Sequence, residues 1–84
     1  MNEKIFNDIS FRLIGYINNI IGLENLLIFN ENKSDKKRIT KKINIYYDFI
    51  NKELKPLKEE NIDILTAFSF MKGEYGRILK KAMS

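Results

Sequence analysis

Eighty-four residues, with 15 basic and 11 acidic side chains and 44% apolar content, make one small domain of net charge +4, running 1–84 without an interdomain linker. There is no Cys and no His, which excludes disulfides, the usual zinc sites and the common nucleophile–base pairs of enzymes. A chain this short buries only about 60–65% of the surface its unfolded form exposes, so efficient helix packing, self-association or both must supplement the core.

The N-terminus, Met1-Asn2-Glu3-Lys4, has no basic region followed by an apolar run. The longest unbroken apolar stretch, Leu26-Leu27-Ile28-Phe29, falls far short of the roughly 20 residues that span a bilayer. Membrane insertion is therefore not expected, and the cytoplasm is the expected compartment. Fourteen Ile, 12 Lys and 10 Asn, with Lys far ahead of Arg, fit an AT-rich coding sequence such as that of a low-GC bacterium or its phages and plasmids.

In chain order, the first element is a helix from about Glu3 to Ile21. At about 100° per residue, Ile5, Ile9, Leu13, Tyr16, Ile17, Ile20, Leu23 and Leu27 fall on one side. Asp8 and Arg12 stand at the i,i+4 spacing of an ion pair. Gly22 is expected to bend the helix or to separate a short one over Leu23–Phe29. Asn30 to Asp35 is polar and unpatterned, a loop in which Ser34 or Asp35 would cap the next helix. That helix carries Ile39, Ile43, Tyr46, Tyr47, Ile50 and Leu54 as its main stripe. Ile45 and Phe49 widen it beyond half the circumference, the mark of a central helix or of half a self-association surface. Pro56 is expected to end it. A third helix then runs to about Ala82, with Ile64, Leu65, Phe68, Met71, Tyr75, Ile78, Leu79 and Ala82 inward. Gly73 and Gly76 each cost up to about 1 kcal/mol in a helix interior and mark where it would break. Alternation of period two occurs only briefly and no hairpin turn is present. The predicted fold is an all-α, antiparallel bundle of three helices, or four if glycine divides the first or the third.

Catalysis finds few candidates. Glu59, Glu60 and Asp63 are close together, but carboxylates in the first turn of a helix are explained by the helix dipole. Gly73-Glu74-Tyr75-Gly76 has neither the spacing nor the preceding strand of a phosphate loop. An enzyme is not expected, and no cofactor or metal is implied.

Charge is informative. Residues 31–42 hold Lys33, Lys36, Lys37, Arg38, Lys41 and Lys42 against Glu31 and Asp35, so the whole positive excess of the chain lies in one segment. It also lies at a helix N-terminus, where the dipole disfavours cations. A local rule broken without evident gain points to function. The plain reading is a solvated, lysine-rich helix start; the functional ones are nucleic-acid phosphates or an acidic protein surface. Five Lys to one Arg, and no helix-turn-helix signature, count against nucleic acid. A second candidate surface is the outward sector of Phe70 and Arg77, beside Ser69, Gly73 and Gly76, which suits protein contact as well as it suits a wide core. Phe11 and Ile62 also stand off their stripes.

Leu57-Lys58-Glu59-Glu60-Asn61, leading towards an apolar segment with Tyr75-Gly76, is similar in a general way to small bacteriocin immunity proteins. That resemblance, over about a quarter of the chain, implies a basic helical bundle that binds a protein. Size and composition are equally like phage or plasmid proteins that block a host defence enzyme. The expected function is stoichiometric binding of a protein partner through Lys33, Lys36, Lys37, Arg38, Lys41, Lys42, Phe70 and Arg77. The alternatives are a nucleic-acid-binding regulator using the same basic segment, and a structural homodimer built on the second helix.

Overall fold

Two helices of equal length form the frame: α1 over Glu3–Phe29 and α2 over Lys33–Glu59, in a computed structural model that describes residues 2–84. Three residues join them, so they pack antiparallel as one long hairpin, and the molecule measures 45 × 22 × 22 Å. The remainder of the chain folds back along one side of this hairpin as a strap. It contains a single-turn helix α3 (Ile64–Ala67) and a ten-residue helix α4 (Glu74–Met83). The all-α bundle is thus present, with the third helix divided. No helix among the described residues is long and apolar enough to cross a membrane.

The core follows the periodicity read from the sequence. Ile9, Leu13, Ile17 and Ile20 of α1 meet Ile43, Ile50, Leu54 and Leu57 of α2, and Ile64, Phe68, Met71, Ile78, Leu79 and Ala82 of the strap close over them. At about 25 cal/mol per Å2, each of these side chains other than that of Ala82 stabilises the fold by about 1.5–3 kcal/mol. This burial explains three departures from the expected boundaries. The first is that α1 runs unbroken through Gly22, because Ile20, Leu23 and Leu27 keep the following turns anchored to the core. Secondly, α2 passes Pro56 and ends at Glu59, because Leu54 and Leu57 on either side are wholly buried and hold the last turn in place. The third concerns its start: the cap is Asn32, not Ser34 or Asp35, and the Asn32 side chain accepts hydrogen bonds from the backbone N–H groups of both.

The third helix breaks between Phe68 and Gly73 for a backbone reason. Gly73 has φ +60°, a left-handed conformation that residues with a Cβ rarely adopt. Gly76 lets the Met71 carbonyl approach so closely that a Cβ there would stand 2.7 Å from its oxygen. The chain thereby makes a sharp bend that seats Phe68 and Met71 in the core and restarts the helix at Glu74. Glu59 and Glu60 accordingly close α2, contrary to their expected place in a first turn. Only Asp63 acts as an N-cap, accepting from the Thr66 backbone N–H and the Thr66 hydroxyl. Leu57 to Asn61, the stretch that resembles immunity proteins, is the end of α2 and a turn with Asn61 at φ 59°.

Ion pairs set the lateral register. Arg12 leaves Asp8, its neighbour in sequence, and reaches across the hairpin to both carboxylate oxygens of Glu53, at 2.8 and 3.0 Å. This two-pronged bond raises the Arg12 pKa. The strap is tied down by Arg77, which bonds Glu24 of α1 at 2.7 Å and Glu74 of its own helix at 2.7 Å. The Tyr75 hydroxyl donates to Asn18, so α4 runs alongside α1 and antiparallel to α2.

Candidate functional site

The basic segment occupies the first three turns of α2, at the end of the hairpin where the two long helices are joined. Its shape follows from the local sequence. Asn32 caps, Asp35 in the first turn offsets the helix dipole, and Ile39 and Ile43 point inward. The other side chains are left to project around the rest of the circumference. Lys33, Lys36, Lys37, Arg38, Lys41 and Lys42 are all exposed. Arg38 is held by Asp35 at 2.6 Å; the five lysines form no ion pair among the described residues. Lys81 stands nearby at the end of α4, 5.8 Å over the ring of Tyr47. Burial raises the pKa of the Tyr47 hydroxyl, which is enclosed without a hydrogen-bond partner.

The other two candidate residues lie elsewhere. Arg77 sits on α4 with its guanidinium spread over Glu24 and Glu74. Those bonds raise its pKa further and lower that of Glu74. Phe70 projects from the bend before α4, 53% exposed, its ring 6.1 Å from that of Phe68. It faces Phe6, Phe11 and Ile14 across a shallow cleft of about 350 Å3. Phe11, 74% exposed, thus joins Phe70 on one aromatic patch, whereas Ile62 packs against the core. That patch lies towards the opposite end of the hairpin. Fifteen residues separate Glu53, level with Arg12, from Arg38, and at about 1.5 Å each this is roughly 22 Å. The eight candidate residues therefore divide into a basic end, an aromatic patch and a structural arginine between them.

Sequence reasoning missed the apolar residues beside the basic end. Leu26, Ile28 and Phe29 close α1 just before the link to α2, and Ile28 and Phe29 are 73% and 84% exposed. Leu26 lines a groove with Leu23, Ile39, Arg38 and Lys42. A signal for them existed in the sequence. Four consecutive apolar residues on a helix spread over about 300°, so one side of the helix has to present apolar surface to whatever lies outside the domain. The end of the hairpin is consequently an apolar tip bordered by lysines. It offers a partner burial at the centre and positive charge at the rim, the arrangement found in protein interfaces.

No protein-family model, curated protein or solved structure matches this chain.

Proposed function

We propose that this chain is a stoichiometric, non-enzymatic binding factor that acts in the cytoplasm by occluding a protein partner. An inhibitor or immunity protein carried by a phage or plasmid is the kind of factor meant. The hairpin end is the part that engages. Ile28 and Phe29 enter an apolar recess of the partner, and Lys33, Lys36, Lys37 and Lys41 meet an acidic rim around it. The observation that carries this reading is that Phe29, the most exposed large apolar side chain of the described residues, stands with Ile28 beside the most basic segment of the chain. Water gains nothing from an exposed Phe, and the helix dipole gains nothing from five lysines; a partner of matching shape and charge rewards both. Arg77 contributes by holding the strap in place, and Phe70 with Phe11 offers a second contact to a partner that extends along the molecule.

Nucleic acid is the other reading of the same lysines. It leaves Ile28 and Phe29 unused and finds the segment's one arginine already paired with Asp35. The two readings part in affinity capture from host lysate with and without nuclease, using the native chain, the pair Ile28→Ser/Phe29→Ser and the pair Lys36→Glu/Lys37→Glu. Protein binding predicts a discrete protein retained through nuclease and lost with either pair. Recovery of nucleic acid alone, abolished by nuclease and indifferent to the serine pair, would replace this function with the second reading.

A further inference from the structure

The strap covers only one side of the α1/α2 hairpin. On that side Phe6 stacks on Phe68 and Tyr47 lies under Lys81. On the other side the rings of Tyr16, Tyr46 and Phe49 pack on one another at 5.4 to 6.2 Å, with Tyr16 and Tyr46 also resting on the core. The groove of Leu23, Leu26 and Ile39 there is lined by residues 23–42 alone, with none from the strap. Ile45 and Phe49, which widen the apolar stripe of α2, end up 49% and 38% exposed on this face. Tyr16 and Tyr46 are the middle residues of their 27-residue helices, so the aromatic cluster marks the centre of the uncovered face.

We infer that this face pairs with the same face of a second copy, in an antiparallel two-fold dimer centred on Tyr46. Three observations select that occupant. First, the side of the molecule on which this face lies measures 45 × 22 Å, enough to hold a standard interface of about 800 Å2 per partner. Secondly, the hairpin is electrically polar along its length. The half nearer the link, residues 17–45, carries six basic and three acidic side chains; the other half, residues 2–16 and 46–59, carries five of each and is neutral. Laying one copy antiparallel on another sets the basic half of each against the neutral half of its mate. The parallel arrangement would bring two copies of the lysine-rich segment together, and the antiparallel one holds them apart by much more than the Debye length of about 8 Å. Thirdly, Lys42 lies four residues before Tyr46 and Glu53 seven after it. About the two-fold axis, Lys42 of one copy therefore falls within about 5 Å along the axis of Glu53 of the second copy. Lys42 forms no ion pair of its own among the described residues. The result is a four-helix layer, with a strap on each outer side and the two apolar tips at opposite ends.

Equilibrium sedimentation of the whole chain, combined with single introduced cysteines, tests this, since the chain has none of its own. The mass should be that of two chains and fall to one with Ile45→Glu at unchanged helicity, while Phe70→Glu stays dimeric. With a short bismaleimide, Ile45→Cys, beside the axis, should link to itself, and Leu26→Cys, about 15 Å from it along α1, should not. A single-chain mass up to millimolar concentration would overturn the proposal. So would a dimer that survives Ile45→Glu, or one linked through Leu26→Cys and not Ile45→Cys. Should Ile45→Glu unfold the chain, the two cysteine variants decide the matter alone.

Discussion

The two ends of the α1/α2 hairpin are built from similar residues and meet opposite fates. At the end where the chain enters α1 and leaves α2, residues 60–73 fold over the helices. There Phe68 is 1% exposed against Phe6, and Leu57 and Ile64 are buried beneath the same cover. At the other end a three-residue link is too short to cover anything, and Leu26, Ile28 and Phe29 stay bare beside the lysines. Leu57, Ile64 and Phe68 at one end are fold; Leu26, Ile28 and Phe29 at the other are surface. Side-chain type does not separate them. What separates them is whether enough chain remains nearby to return and bury them.

Substitutions at the two ends should therefore behave differently, and the largest effect belongs to the covered one. Phe68→Ala removes the ring that seals it and should cost about 3–5 kcal/mol, read by urea denaturation; a loss below 1 kcal/mol would mean the cover is dispensable. Gly76→Ala acts on the bend that positions that cover. Its methyl meets the Met71 carbonyl at 2.7 Å, and overpacking of this kind costs about 1–3 kcal/mol, measured the same way.

The bare end should respond in reverse. Ile28→Ser with Phe29→Ser is expected to change stability by less than about 0.5 kcal/mol per site while lowering partner affinity at least tenfold. A stability loss matching that of Phe68→Ala would erase the distinction between the ends. The smallest effect concerns the tie between strap and hairpin. Arg77 holds Glu74 below its ordinary value of 4.5, so the stabilisation from this pair is complete above that value and disappears as pH falls through the lowered folded-state value. Thermal unfolding between pH 6 and pH 3 should show the native chain losing slightly more stability than Glu74→Gln, with the two converging in acid.

Much of this was legible in the sequence. Helical spacing picked out Ile9, Leu13, Ile17, Ile20, Ile50, Leu54, Phe68 and Ile78 as inward, because burial on a helix is periodic and the period survives in the residues. The basic segment was legible too, since charge needs no fold to be counted. What escaped was decided by distant parts of the chain. Pro56 stays within α2 because Leu57 after it is buried, and Arg12 chooses Glu53, forty-one residues away, over Asp8. Leu65, on the expected inward face, is 44% exposed because α3 is a single turn whose direction the bend dictates. Whether Phe70 and Arg77 shared a surface with the lysines depended on which way the strap ran, and periodicity holds no information on that.

The unequal lengths of frame and strap also bear on the order in which the molecule comes apart. Each long helix has 27 residues and the two are joined by three, so the hairpin can zip from its link by contacts local in sequence, the kind that form rapidly. The strap contributes one four-residue turn and one ten-residue helix, anchored by a few side chains and the Arg77 bonds. Amide exchange should accordingly find two tiers of protection, a slow one within α1 and α2 and a faster one across residues 62–83. The strap would then open before the hairpin melts, exposing beneath it a second apolar face on a frame that is still helical.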